Sequence, residues 1–195
     1  MRVLHLIGST PTPDAALTAT LAQIQAQAER VETVLMAPDG TPHALSLLQQ
    51  GVPVLWLKPR QSLGDVAAAL QVLQPDLIHL HGACDSEAAV PLRVFSHRAL
   101  VVELNRADTD GAGRLRRDLR GLRLDWRARG SATALCPAGL VADDAVARAG
   151  LPAGLGDVTL FNPAEVSAPW FISLYRRVLL AGQPHGKELA LPGFA

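Results

Sequence analysis

The segment PDLIHLHGACDSE, residues 75–87, ends an apolar run on two histidines, a glycine, a cysteine and two carboxylates. Three chemistries could use such a cluster. His79 and His81 are two apart, so on a strand both side chains share one face, and Asp85 could join them as a metal ligand. A further ligand would have to follow another strand. His5 falls inside a strand, His43 in a loop, His97 at a helix end and His185 in the tail. No metal is therefore expected, and His79 reads as a packed, hydrogen-bonded core histidine while His81 alone faces a cleft. A Cys84 nucleophile would need glycine two residues before and after it. Gly82 is present but Ser86 holds the later place, so Cys84 reads as a small buried thiol. The third chemistry is ligand binding at the rim of a crevice.

That crevice follows from the order of elements. Apolar runs at 2–7, 31–37, 52–57, 76–80, 99–104, 132–136 and 157–161 alternate with helix-like segments at about 14–28, 42–50, 62–73, 86–97, 113–129 and 139–149. Ser62 is placed to cap the third of these helices. Strands apolar on both faces belong to a parallel sheet covered by helices. The expected fold class is α/β, a single doubly wound Rossmann-like parallel sheet. SAPWFISLYRRVLL, 167–180, breaks the rhythm as one amphipathic helix with Trp170, Phe171, Leu174, Tyr175 and Val178 on its apolar face. The expected organisation is a Rossmann-like unit over 1–165, a capping helix over 166–180 that packs back on it, and a loose tail over 181–195.

In such sheets ligands bind outside the carboxyl ends of the strands, where strand order reverses. The candidate binding residues are those that follow strands: Gly8, Ser9 and Thr10; His81, Gly82 and Asp85; Asn105; and Asn162. The Gly8-Ser9-Thr10 turn lacks the further glycines of a dinucleotide fingerprint and the lysine of a P-loop. It can still offer backbone N–H groups to an anion or a sugar hydroxyl.

Bulk composition bounds the rest. The chain has 195 residues, 49% hydrophobic and 18% charged, with zero formal net charge. That suits one folded domain and excludes a global field that would recruit nucleic acid. Two distant cysteines make no disulfide framework. The N-terminal MRVLHLIG lacks the features of a signal peptide, and no apolar stretch reaches the ~20 residues that span a bilayer. A cytoplasmic protein is expected. The segment from Arg114 to Arg129 carries seven arginines against two aspartates. It reads as a solvated helix face that can make weak contact with an anionic membrane surface. Without aromatic stacking residues beside it, nucleic acid is not an expected partner.

DLIHLHG resembles a segment of family 4 glycosyltransferases of the GT-B fold. ATALCPAGLVADDAVARAGLP followed by DVTLFNP is similar to a later stretch of that family, and APWFISLYRRVLL to its closing helix. The resemblance spans about residues 1–180 and implies the N-terminal, acceptor-side domain of that fold. It also implies an absence. Family members have two Rossmann-like domains, with the nucleotide-sugar donor bound mainly by the second, whereas here Asn162-Pro163 runs almost directly into the closing helix. Asn105 stands where the family has a cleft histidine, and Pro137 where it has a serine. The resemblance therefore implies a glycosyltransferase-like protein without its own donor domain, inactive alone or completed by a partner chain. It would bind a sugar or lipid-linked acceptor and take a nucleotide sugar as cofactor only if a partner supplies the donor domain. Two other readings stay open: a non-enzymatic assembly module that self-associates or joins a partner, and a small hydrolase or nucleotide-binding enzyme using the residues from His81 to Asp85.

Overall fold

The chain is described by a computed structural model over residues 1–8, 14–58, 63–81, 89–95, 97–103, 132–137, 157–162 and 166–181. The apolar runs become β1 (Arg2–Ile7), β2 (Glu32–Pro38), β3 (Val54–Leu57), β4 (Leu77–His81), β5 (Ala99–Glu103), β6 (Ala132–Pro137) and β7 (Asp157–Phe161). The helices among the described residues are α1 (Asp14–Ala28), α2 (Ala44–Gln49), α3 (Leu63–Leu73), α4 (Ala89–Val94) and α5 (Ala168–Ala181). Seven strands form one sheet in the order β3-β2-β1-β4-β5-β6-β7, and every neighbouring pair is parallel. The doubly wound α/β sheet expected from the sequence is the observed fold.

The order fixes where a ligand could go. From β1 the chain steps outward to β2 and β3, then crosses back to β4 and proceeds the other way. Right-handed crossovers place α1 and α2 on one face and α3 and α4 on the other. The reversal lies between β1 and β4, whose carboxyl ends are Ile7 and His81, partners in register.

Side chains alternate across the sheet. Leu4, Leu6, Ile78, Leu80, Leu100 and Val102 fill one face, and all are buried. The other face carries two apolar clusters. In one, Ile7, Leu35 and Ala37 pack against Leu17, Leu21 and Ile24 of α1 and Ala44 and Leu47 of α2. In the other, Val3, Leu77, Val101, Leu135 and Phe161 pack against Phe171, Leu174, Tyr175 and Val178 of α5. These four residues of α5 follow the i, i+3, i+4, i+7 pattern that lays one helical stripe on a surface. Trp170 is half-buried at the edge of the cluster. α5 thus packs on the sheet beside α1.

Of the boundaries that differ from the sequence reading by a residue or more, two have clear local reasons. β3 starts at Val54 rather than residue 52 because the Val52 N–H turns back to Leu47 O at 3.0 Å while Gly51 N–H bonds Leu48 O at 3.0 Å. This pair of bonds ends α2, with Gly51 at φ +86°, a left-handed conformation that glycine adopts without strain. β4 extends through His81 because that residue is paired on both sides, with Ile7 of β1 and Glu103 of β5. Ser62, the helices expected at 113–129 and 139–149, and the tail beyond residue 181 lie outside the described residues.

Candidate functional site

Strand register assembles a cluster that sequence spacing alone does not reveal. His5 stands opposite His79, and His81 opposite Glu103. Residues in register on parallel neighbours share a face at roughly 4.8 Å, and His79 and His81 share theirs by the two-residue period. Three imidazoles and a carboxylate therefore meet on the face that α5 covers. His5 and His79 are fully buried and His81 is 7% exposed.

Hydrogen bonds order them. His81 Nδ1 donates to Glu103 Oε2 at 3.0 Å, and His81 Nε2 faces His5 Nδ1 at 2.9 Å. On the other side, His79 Nδ1 donates to the Tyr175 hydroxyl at 2.7 Å, and that hydroxyl donates to Gln27 Oε1 at 2.8 Å. His79 Nε2 lies 3.3 Å from Glu103 Oε2 without the alignment of a hydrogen bond. The path from α1 through α5 to β4, β5 and β1 is continuous: Gln27, Tyr175, His79, Glu103, His81, His5.

The electrostatics follow from burial. Desolvation, reinforced by His81 and His79, pushes His5 well below the ordinary imidazole value. Desolvation and His81 lower His79 to about 4 against the raising influence of Glu103. For Glu103, burial alone would raise the carboxyl, but the nearby His79 imidazole and the hydrogen bond with His81 outweigh it and hold it well below the usual carboxylate range. Burial, with the Glu103 charge, pushes the Tyr175 phenol well above its usual value. Near neutrality the cluster holds one carboxylate beside two uncharged imidazoles and a protonated phenol.

The sequence-predicted residues are partly gathered here. Gly8 is buried directly after β1, and His81 ends β4 beside it, so both lie at the reversal of strand order. Asn162 follows β7, three strands from β4, or roughly 14 Å at the spacing between strands. It is exposed and stands apart from His81. Ser9, Thr10, Gly82, Cys84, Asp85 and Asn105 lie outside the described residues, as does the segment from Arg114 to Arg129. The reading of His79 as a packed, hydrogen-bonded histidine agrees with its burial and its bond to Tyr175. His5, set aside as a residue inside a strand, is in contact with His81 because β1 is the neighbour of β4. Glu103 and Tyr175 were missed as site residues. A lone carboxylate in the run ALVVEL was the available signal for the first; Gln27, one of several glutamines in α1, gave none. Cys136 is a free, buried thiol, pushed up by burial.

No protein-family model matches the chain, and no curated protein matches it. Solved structures do. HepE from Anabaena, in complex with UDP-glucose, matches with a TM-score of 0.54 and 21% identity over 84% of this chain and 44% of that one. The same protein with UDP and glucose gives 0.53 at 20% identity. UDP-N-acetylglucosamine 2-epimerase from Rickettsia bellii gives 0.50 at 13% identity, over 90% of this chain and 49% of that one. The chain spans less than half the length of each, and at these identities the likeness is one of fold. No described helix is long and apolar enough to cross a membrane.

Proposed function

We propose that this chain is the acceptor-side lobe of a glycosyltransferase-like clamp, inert by itself toward nucleotide sugars and completed, where activity is needed, by a partner chain. The observation that carries this reading is the connection between β7 and α5. Only residues 162–167 separate Phe161 from Ala168, at the point where the family that the sequence resembles places its donor domain. Six residues span ~20 Å at full extension and cannot hold a folded lobe. The closing helix meanwhile keeps its place on the sheet, through Phe171, Leu174, Tyr175 and Val178.

The chemistry argues the same way. Sugar transfer from a nucleotide diphosphate needs fixed donors or positive charge at the leaving group. It also needs both reactants held in register in a closed cleft. The described carboxyl-end residues at the switch, Gly8 and His81, include no lysine or arginine, and the nearby Glu103 is held anionic. A partner lobe would also meet an apolar edge: β7 is the last strand of the sheet, with Leu160 59% and Val158 37% exposed.

The likeness of fold to a protein crystallised with UDP-glucose supports the choice of nucleotide sugars as the substrates to test. The pure chain, incubated with UDP- and GDP-sugars and simple hydroxyl acceptors, is expected to release nucleoside diphosphate no faster than protein-free controls. Sustained release by the chain alone, proportional to its concentration, would remove this reading.

A further inference from the structure

The His5, His79 and His81 cluster brings a ring nitrogen from each of three histidines together in a buried site. One set of proton positions, with all three rings neutral, satisfies the hydrogen bonds. The ionised Glu103 only accepts, so His81 carries its proton on Nδ1 and its Nε2 is bare. Tyr175 gives its proton to Gln27, so it accepts from His79 Nδ1, and His79 Nε2 is bare as well. The proton on His5 Nδ1 fills the 2.9 Å contact with His81 Nε2, which leaves His5 Nε2 without a partner. The Nε2 atoms of His5 and His79 are thus both buried without hydrogen bonds among the described residues. Unpartnered buried polar atoms are rare and costly, and of these two it is His79 Nε2 that an ion held by the cluster would engage.

We propose that His5, His79 and His81 form a binding site for one divalent transition-metal ion of the zinc class, with Glu103 as the residue that positions His81. One ring nitrogen from each of the three histidines lies within 4.8 Å of the others. An ion with bonds of ~2.1 Å in tetrahedral geometry sets ring centres roughly 5 Å apart. The observed separations are 5.2 Å for His5–His81 and 5.5 Å for His5–His79. His79–His81, at 4.0 Å, must open by about 1 Å through a side-chain rotation to meet the same distance.

The ion takes the place of the proton between His5 Nδ1 and His81 Nε2. That proton moves to His5 Nε2, so the ring stays neutral and no charge is lost from the ligands. His79 Nε2 is the third donor, its tautomer fixed by Tyr175. The bond from His81 Nδ1 to Glu103 is the outer-shell contact that orients a metal-bound imidazole and raises its basicity, and the carboxylate supplies charge opposite to the ion. Imidazole donors favour zinc, copper, nickel and cobalt over magnesium or calcium. Access is from the strand-order reversal, where His81 retains its slight exposure. The inference rests on strand register and tautomers and does not depend on the acceptor-lobe reading.

The test uses the full chain, stripped with a chelator and titrated with cobalt(II) and zinc(II). Cobalt is expected to saturate at one ion per chain with visible d–d bands of a nitrogen-ligated centre, and zinc to displace it. X-ray absorption should show three imidazole nitrogens at ~2.0–2.1 Å. His5→Gln and His81→Gln should each abolish the bands, and Glu103→Gln should weaken binding by about tenfold or more. His43→Gln, at an exposed histidine, should change nothing. A folded wild-type chain that takes up neither ion overturns the proposal, as does one-to-one binding indifferent to His5→Gln and His81→Gln. If those variants do not fold, the wild-type absorption spectrum decides: a first shell without three imidazoles has the same overturning force.

Discussion

At pH 4.5 the metal-free folded chain should be about 2.5 kcal/mol less stable than at pH 7.5 through His79 alone. Burial first, then the neighbouring His81, lowers the proton affinity of His79 from 6.5 to about 4. Between these values the unfolded chain binds a proton at this residue that the folded chain does not. Stability therefore falls as pH drops through this window and levels off above it. His5, lowered by its own burial, contributes with the same sign. Glu103, whose carboxyl is depressed in the folded state, stabilises above its ordinary value near 4.5 and loses that contribution as pH falls further. The groups facing His79 are Glu103, His81, His5 and Tyr175, and none of the resolved shifts among them opposes the trend. Urea unfolding between pH 7.5 and 4.5, with a chelator present, measures it. His79→Gln should flatten most of the slope; a wild-type curve already flat across this range would contradict the burial of the cluster.

Phe171→Ala should cost about 3–5 kcal/mol, the range for removing a large buried aromatic side chain. Phe171 is fully buried and packs edge-to-face with Trp170 at 5.0 Å between ring centres. Its ring also lies 5.6 Å from His79 and 6.1 Å from Tyr175. The substitution opens a cavity between α5 and the sheet, beside the polar cluster, so collapse would disturb the Tyr175–His79 bond as well. Leu180→Ala on the outer face of the same helix, where the side chain is 66% exposed, should shift stability by less than about 0.5 kcal/mol. Equal effects at the two positions, measured by denaturant midpoints, would mean that α5 is not the lid of this core.

Much of this architecture is legible in the residues. The uniformly apolar runs imply parallel, doubly covered strands, and the stripe Phe171, Leu174, Tyr175, Val178 identifies the face of α5 before its target is known. The site is less legible because its members meet through strand order. Nothing local says that β1, residues 2–7, lies beside β4 seventy residues later, so His5 looks isolated. Once the β1–β4 pairing is given, the alternation of His79 and His81 and the lone Glu103 in an apolar strand bring all four to one face. Gln27 is different: its role depends on the approach of α1 to α5, which no periodicity encodes.

An acceptor-side lobe, as proposed, has no donor pocket of its own. Isothermal titration of the pure protein with UDP-glucose and UDP is the direct measurement. No saturable heat beyond dilution is the predicted result. One-to-one binding at micromolar concentration by the isolated chain would contradict it.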